Sequence, residues 1–517
     1  MKTIYFLITA LLPYSYLHSQ NTEFTGHLLG SNNSQTHLIS SVQSTNNRGF
    51  QDERRPISLI DTSYRSKEYL ARDDPKYNKR YSILAPIAGV IAYNAVLNAF
   101  DSYVLNKSYT KVSFESWKRN LKAGAPWTDG WIWSEDKLSL NFLGHPIAGA
   151  MYFNAARSNG YNYWASIPFA FGGAYMWKIF DENGKPERED IINTPVSGAL
   201  FGEILYRVSS NILDDRTRGA ERVFREIAAG IIDPMRGVNR LIQGKSFRVT
   251  DKEVYQKEPL NLTLYAGLNV INNPTKFATG ASSSIVNVMV DYGNPFEHKQ
   301  RKPFDFFRTN LSFSSGWGKK YLNIIQAEGL LFGKNIQWGK MELLAGAFQH
   351  FDYYDNYYFE LSTIGLGCGV VSRLPVNANS NLFTSIHIAG VPFGANSTRF
   401  GPNDAVNVGD YNFVGGWEAK FETTLDFENI VRLTLKGEVY WASTYVRLPG
   451  QDITKSNAIG VIDPKISVRI YKELHLGFEQ LEYIGDREPD GPVDVNQVKS
   501  EQAFFVQYFF GNFKHGI

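Results

Sequence analysis

The sequence predicts an α+β membrane protein in which a small N-terminal helical domain is followed by an antiparallel transmembrane β-barrel of about 12 strands. Of the 517 residues, 14% are aromatic, a composition that fits strands facing lipid. Four apolar stretches of helical length lie between residues 82 and 212, and apolar and polar residues alternate from residue 246 onward. A soluble β-sandwich is the alternative for the second half. Charges within the same strands favour a wet barrel lumen over a dry sandwich core.

Net charge and cysteine content exclude several classes of protein. The chain has 53 Lys and Arg residues against 51 Asp and Glu residues, which gives a net charge of +2. Binding of nucleic acid through bulk charge needs a concentrated basic surface, so no nucleic-acid partner is expected. Cys368 is the only cysteine, which excludes an internal disulfide framework and a cysteine-rich metal site.

The N-terminus has the layout of a secretory signal peptide, which we place at residues 1–20. Lys2 precedes an apolar run at residues 4–12, and small or polar residues follow to Ser19. Residues 21–78 are rich in Asn, Ser, Thr, Gln, Arg and Asp without lasting apolar periodicity, and they are predicted to form a flexible polar tether. A buried N-terminal helix is the alternative for residues 1–20.

Residues 79–245 are predicted to form the helical domain, with apolar stretches at about 82–100, 138–157, 161–179 and 196–212. The first stretch is uncharged and long enough to cross a membrane. Pro86, Asn94 and Asn98 interrupt it, however, and the two asparagines lie four residues apart on one helical face. We therefore favour a packed helix with one polar stripe, and a transmembrane helix stays as the alternative.

Residues 246–517 are predicted to form the outer-membrane barrel. From 431 to 441 the odd-numbered residues are apolar or Gly, while the even-numbered ones are polar, charged or Tyr, a period that only a strand separates onto two faces. About twelve such segments lie near residues 259–270, 280–292, 304–316, 320–332, 338–351, 357–371, 380–393, 411–425, 429–442, 456–470, 473–484 and 500–511.

The even strand count and the short connections near residues 426–428 and 471–472 predict that the first and the last strand both have their chain ends in the periplasm. A lumen of this size is too narrow for four helices, so we expect the helical domain on the periplasmic side, packed at the barrel mouth or on the inner leaflet. The side chains of the last strand that are predicted to face lipid are Phe504, Val506, Tyr508 and Phe510.

The most distinctive stretch of the predicted helical domain is 141–160. On a helix, Asn141, His145, Gly149 and Tyr152 share one face at steps of four, four and three residues. Pro146 is tolerated in a first turn, so this helix is expected to begin near Gly144.

A second stretch follows at 194–207. Thr194 is predicted to be an N-cap before Pro195 at the first helical position. Glu203 and Arg207 are four residues apart in the favourable order, and Arg157 is a plausible partner of Glu203 on the neighbouring helix. The residues predicted to form the helix-packing and polar core are Asn141, Gly149, Tyr152, Arg157 and Arg207.

These stretches resemble an uncharacterised family of bacterial envelope proteins, the domain of unknown function 3943 family, over roughly residues 110–245. The resemblance is carried by Asn-x-x-x-His-Pro-x-x-Gly-x-x-Tyr at 141–152, Ala-Arg-x-x-Gly at 156–160 and Gly-Glu-x-x-x-Arg at 202–207. It implies an envelope location in a Gram-negative cell and supplies no activity.

His145 is the candidate centre for chemistry. It could act as general base of a lipid-directed hydrolase or acyltransferase, with Ser197 or Ser166 as nucleophile and Asn141, Glu203 or Asp190 as the orienting group. No Gly-x-Ser-x-Gly motif fixes such a geometry. We therefore favour a buried, hydrogen-bonded histidine in a non-enzymatic envelope, transport or interaction protein, and the lipid-acting enzyme is the alternative hypothesis.

No metal and no cofactor are expected, because none of the nine histidines forms a His-x-x-x-His pair. Ser385 and His387 are interpreted as a satisfied pair in the lumen. The arginine-rich segment 216–240 is interpreted as a solvated helix with salt pairs, and a surface for anionic lipid headgroups is the alternative. The expected partners are outer-membrane lipids and the barrel assembly machinery.

Overall fold

A computed structural model of the chain describes residues 73–511, except 135, 273–279, 317–320, 357–358, 398–410, 447–453 and 490–494. The predicted signal peptide and most of the predicted tether lie outside the described residues. The described residues all belong to one compact unit.

Helices occupy the first part of the described chain. Three of the four predicted stretches correspond to α1, α3 and α4, and the fourth is the C-terminal part of the longer α5. The α-helices within the described range are α1 (Leu84–Ala99), α2 (Phe114–Lys122), α3 (His145–Arg157), α4 (Tyr163–Met176), α5 (Arg188–Ile212), α6 (Gly219–Ile232) and α7 (Pro234–Ile242).

Two helix starts were predicted from proline residues, and the structure confirms one and contradicts the other. Helix α3 begins at His145 with Pro146 in its first turn, as predicted. The predicted N-cap at Thr194 is wrong, because α5 already begins at Arg188 and Pro195 lies inside it. The Arg188 amide donates to the Ile132 carbonyl at 2.9 Å, and Glu189 and Asp190 in the first turn suit the positive end of the helix dipole.

Twelve antiparallel strands close into a barrel in sequence order, with β1 paired to β12. The fold class and the predicted strand count are thereby confirmed. The strands are β1 (Leu260–Asn272), β2 (Ala281–Tyr292), β3 (Phe307–Gly316), β4 (Leu322–Trp338), β5 (Met341–Asp355), β6 (Glu360–Asn377), β7 (Ser380–Ser397), β8 (Tyr411–Phe427), β9 (Val431–Val446), β10 (Thr454–Tyr471), β11 (Leu474–Pro489) and β12 (Val495–Phe510).

The two ends of the barrel differ in their connections. Tight turns at 339–340, 378–379, 428–430 and 472–473 join strands at the end where β1 begins and β12 finishes, which we call the turn end. Most connections at the opposite loop end are longer, as expected for the outer face of such barrels. One long connection, 293–306, lies at the turn end, between β2 and β3.

Burial follows the predicted alternation. Glu438 and Tyr440 of β9 point inward and are each 2% exposed, whereas Leu433 and Leu435 on the other face are exposed. The predicted lipid-facing residues of the last strand are likewise exposed, namely Phe504, Val506, Tyr508 and Phe510. The barrel therefore has a charged interior and an apolar outer wall.

The helices pack along the outer wall of the barrel. Of the two expected positions, the barrel mouth is therefore wrong, and the inner leaflet stays a prediction. The Phe201 ring of α5 contacts Phe351 of β5 with centroids 4.8 Å apart, and Phe351 is on the outward face of its strand. Further outward residues join the same core, among them Phe393 and Phe413. Helices that cover this apolar aromatic wall remove it from contact with water. The charged lumen offers no such apolar surface for packing.

Helix α5 runs along much of the length of the barrel. Near its start, Asn193 donates to the Asn141 carbonyl, and Asn141 donates to the Tyr411 hydroxyl at the loop end at 2.5 Å. Near its C-terminus, Asn211 donates to the Glu258 carbonyl, just before β1, at 2.8 Å. The helical region and the barrel wall therefore share one core.

Helix α1 confirms the predicted polar stripe. Asn94 donates to the Gly173 carbonyl at 3.3 Å, and Asn98 donates to the Asp181 carbonyl at 2.9 Å. Within the described residues, Leu84–Val104 is the one helical stretch long and apolar enough to cross a membrane, and 22% of its most apolar window is buried. One face of this stretch is thus packed and the other is exposed and apolar.

Candidate functional site

The small residue Gly149 in the 141–160 stretch lies at a close helix crossing in the structure. At Gly149 an added Cβ would lie 1.8 Å from the Thr194 carbonyl oxygen, and at Gly198 it would lie 2.4 Å from the Gly149 backbone. The Tyr152 ring covers Gly173, and its hydroxyl donates to Asn94. Gly149 and Tyr152 therefore fix how α3 packs against α5 and α4.

Glu203 is the centre of a buried ion-pair network that links the helices to the barrel. Its carboxylate accepts two hydrogen bonds from Arg157, at 2.7 and 3.1 Å, and one from Arg207 at 2.7 Å. This confirms the predicted Arg157–Glu203 pair. Arg207 also pairs with Asp305 at 3.3 Å and donates to the Pro303 carbonyl at 3.0 Å, both in the β2–β3 connection.

His145 belongs to a different charged cluster. Its Nε2 lies 3.3 Å from Oδ1 of Asp190. Asp190 also pairs with Lys178, whose ammonium group contacts Glu182 at 2.8 Å and Glu187 at 2.6 Å. One lysine thus holds three carboxylates next to the histidine, an arrangement that stabilises buried charges at the end of α4.

The three catalytic candidates have separate partners. Ser197 is fully buried and donates to the Asn193 side chain at 2.8 Å, while Glu203 binds its two arginines and His145 lies against Asp190. Across the described ranges, no hydrogen bond or ion pair joins any two of His145, Ser197 and Glu203. Their catalytic role stays a prediction.

Helices α6 and α7 carry their charges inward and their apolar residues outward. Arg222 and Arg240 are buried, and each pairs with Asp215 and Glu226 at distances from 2.6 to 3.0 Å. The outward residues are Val223, Phe224, Ile227, Ile231, Val238, Leu241 and Ile242. The predicted salt pairs exist, but the predicted solvated surface is wrong, because water is a poor solvent for this outer face.

A basic cavity of about 740 Å³ opens at the turn end between the helices and the β2–β3 connection. Two carboxylates line it, Asp73 and Glu203. The Lys and Arg residues in its lining are Lys79, Arg80, Arg157, Arg207, Arg236, Arg240, Lys245 and Lys302. The sequence did not indicate this site, since these residues come from five separate segments.

Two cationic groups in the basic cavity have donor atoms that lack an ion-pair or hydrogen-bond partner among the described residues. In the structure as described, Lys245 is buried without a carboxylate partner and stacks its ammonium group 5.1 Å from the Tyr81 ring centre. Burial, with Arg248, Arg240 and Arg236 nearby, lowers the pKa of Lys245 to about 8. Nη2 of Arg236 is buried and unbonded, although its Nη1 donates to Tyr206 and Ser210 at 2.7 Å. Both residues line the cavity.

The barrel lumen is crossed by matched charges. Lys420 pairs with Asp352, Lys436 pairs with Glu438 at 2.9 Å, and a further pair joins Lys465 to Glu479 at 2.8 Å. The cavity left among these side chains measures about 210 Å³. The lumen is thus occupied largely by its own ion pairs.

A closed antiparallel barrel with an apolar outer wall and a charged lumen defines the class. The chain is an outer-membrane β-barrel protein with helices packed on its outer wall. The family described as "Domain of unknown function (DUF3943)" matches residues 130–235, which confirms the resemblance over a narrower range than the predicted 110–245. No curated protein matches the chain.

The solved structures similar to the chain include outer-membrane channels, a porin and an outer-membrane phospholipase. The outer membrane channel DcaP of Acinetobacter baumannii is 12% identical, with a TM-score of 0.24, over 48% of this chain and 96% of that chain. Outer membrane phospholipase A from Escherichia coli is 12% identical, with a TM-score of 0.25, over 50% and 99%. The NanC porin is 11% identical, with a TM-score of 0.27, over 48% and 98%. At this level the similarity extends no further than the barrel.

Proposed function

We propose that this protein is a non-enzymatic outer-membrane protein that binds the anionic headgroup of a phospholipid in the basic cavity. The observation that carries the proposal is the buried Lys245, which has no ion-pair partner among the described residues, in a cavity with eight basic and two acidic side chains. A buried ammonium group without a counter-ion is costly, and a phosphate group would remove that cost.

The surroundings of the cavity favour a lipid over a soluble anion. Helix α7 contributes Arg236 and Arg240 to the cavity lining, and the residues on its opposite face are apolar and exposed. Trp164, which also lines the cavity, stacks on the exposed Phe332 of β4 with ring centres 5.3 Å apart. Acyl chains of a lipid would lie against these apolar faces while the headgroup enters the cavity. The ion pairs across the lumen support a binding role over that of a wide pore.

We also propose how the chain reaches the outer membrane. A signal peptide at residues 1–20 would direct the chain across the inner membrane of a Gram-negative cell, and the assembly machinery would recognise its aromatic last strand. The proposed chain consists of a helical domain at 79–245 and a barrel at 246–517. N-terminal sequencing of the mature protein would test the cleavage site.

The binding experiment uses the untagged full chain in a neutral detergent, titrated with phosphatidylglycerol, phosphatidylcholine or inorganic phosphate by microscale thermophoresis. We expect phosphatidylglycerol to bind most tightly. The Lys245→Gln variant should bind it about 5- to 30-fold more weakly, from a loss of about 1–2 kcal/mol for one cation.

Lys118→Gln is the matched control, since Lys118 is exposed on α2 and does not line the cavity. Equal affinity for the two lipids, or an unchanged affinity in Lys245→Gln, would exclude the proposed site. Tight binding of inorganic phosphate with no preference for lipid would identify a soluble anion as the ligand.

One observation favours a second candidate, a lipid-acting enzyme that uses His145. Nε2 of His145 lies 3.3 Å from Oδ1 of Asp190, without a hydrogen bond in this structure, and a carboxylate so placed would orient the imidazole of a general base. Lipid mass spectrometry would compare outer membranes lacking the protein, with wild type, and with His145→Ala at equal folded abundance. A lipid species that depends on wild type alone would support the enzyme, and identical profiles would exclude it under those conditions.

A further inference from the structure

Two buried histidines meet inside the barrel across a strand that has no side chains at the facing positions. His350 of β5 is opposite Gly365 of β6, and His387 of β7 is opposite Gly369 of β6. A Cβ at Gly369 would lie 2.4 Å from His387 Nδ1. The two glycines therefore let both imidazole rings lean over β6, where their centres are 5.1 Å apart.

The imidazole nitrogens are buried and have no hydrogen-bond partner in the described part of the chain. His350 is 0% exposed and His387 is 2% exposed, and all four ring nitrogens are unbonded. The interpretation of His387 as part of a satisfied pair with Ser385 is therefore wrong. Buried polar groups are rarely left unpaired in this way, and two such rings side by side indicate a ligand between them.

Carboxylates flank the two rings. Oε2 of Glu328 lies 3.9 Å from His387 Nε2, and Oε1 of Glu418 lies 3.8 Å from His350 Nδ1. One ligand atom from each of Glu328, His350 and His387 falls within 4.8 Å of the others. A tetrahedral ion with bonds of about 2.0–2.2 Å holds its ligand atoms about 3.3 Å apart, so small side-chain movements would close the site.

The nearby cations leave these donor atoms available. Lys420 forms its short contact with Asp352, and its nitrogen is 3.6 Å from Oε1 of Glu418. Arg308 pairs with Asp291 at 2.9 Å and with Glu422 at 3.1 Å. It also lies 3.9 Å from Oε1 of Glu328, whereas the contact of Glu328 with His387 is through Oε2. Each positive charge therefore has a carboxylate partner besides the proposed ligand oxygens.

We propose that His350, His387 and Glu328 bind a divalent transition-metal ion in the lumen. Two imidazoles and one carboxylate suit Zn²⁺ and related borderline ions better than Ca²⁺ or Mg²⁺, which prefer all-oxygen sites. The ion would join strands β4, β5 and β7 from inside the barrel. This site is independent of the basic cavity.

The test uses the untagged full chain in detergent, stripped with EDTA and titrated with Zn²⁺ alone by calorimetry. Co²⁺ is then added separately, to record the visible absorption of a tetrahedral site. We expect one equivalent of Zn²⁺ to bind. His350→Gln and His387→Gln should each weaken binding about 100-fold or more, since loss of even an outer-shell partner costs about 10–100-fold.

His475→Gln is the matched control, because His475 is a buried histidine of β11 that the cluster does not include. Heat-modifiable gel mobility identifies variants that still form the barrel, and Glu328→Gln replaces any histidine variant that does not. Absence of Zn²⁺ binding by wild type would overturn the proposal. Binding that survives both histidine changes, or that is lost in His475→Gln, would overturn it as well.

Discussion

Replacing Glu203 by Ala is expected to destabilise the helical region strongly while the barrel stays closed. Glu203 is fully buried and accepts three hydrogen bonds from two arginines. Removing one partner of a buried ion pair costs about 3–5 kcal/mol, because the other charge is left uncompensated. Arg207 keeps Asp305 as a partner and Arg157 keeps its 4.0 Å contact with the Tyr206 ring. We therefore expect a loss of about 3 kcal/mol, the lower end of that range.

The assay is urea unfolding in detergent, followed by circular dichroism at 222 nm for the helices and by heat-modifiable mobility for the barrel. Glu221→Ala is the matched control, because Glu221 also pairs with an arginine, at 2.9 Å, but is 44% exposed. Such an exposed pair is worth less than about 1 kcal/mol. If the two variants lose the same free energy of unfolding, the Glu203 network does not hold the helices as the structure indicates.

Three further predictions concern the helix crossing, the cavity and the outer face. Gly149→Ala should destabilise the helices by about 1–3 kcal/mol or more, since its Cβ would meet the Thr194 carbonyl, and an unchanged urea midpoint would contradict this. Phosphatidylglycerol affinity should fall up to about tenfold from pH 7 to pH 9, because Lys245 loses its proton as the pH rises through its lowered pKa of about 8. Lys245→Arg should remove that dependence, as titration at both pH values will show. A fluorophore on Ile231→Cys, in a Cys368→Ser chain, should be quenched by a lipid-borne quencher, whereas quenching from water alone would contradict a lipid-facing α6.

The strands were predictable from the sequence because a two-residue period identifies a strand without knowledge of its neighbours. The alternation at 431–441 separates two faces whichever partners the strand has, and a barrel needs one face wet and one apolar. The Arg157–Glu203 pair was also predictable, since a charged residue in each of two apolar helices needs a partner. The helix boundaries were harder to predict. Pro195 has the sequence context of a first-turn proline, but α5 begins at Arg188, with Glu189 and Asp190 in its first turn.

The candidate sites depend on neighbours that the sequence does not reveal. His350 and His387 meet only because β5, β6 and β7 are adjacent and two glycines on β6 clear the space between them. An amphipathic helix likewise shows two faces but not which one is buried. The segment 216–240 is predicted as a solvated helix, but its Arg222 and Arg240 point at Asp215 inside the protein.

The inverted faces of α6 and α7 bear on where the whole helical region lies. A periplasmic domain would place its arginines in water and its apolar residues inward, because burying guanidinium groups costs free energy that only ion pairs recover. Here Arg222 and Arg240 share Asp215 and Glu226 within the protein, while Ile227 and Ile231 are exposed. The same helical region covers the outward aromatic residues of β5, β7 and β8, which a bare barrel presents to lipid. Both facts support the proposal that the bilayer surrounds these helices, in which case a ligand of the basic cavity would come from the membrane.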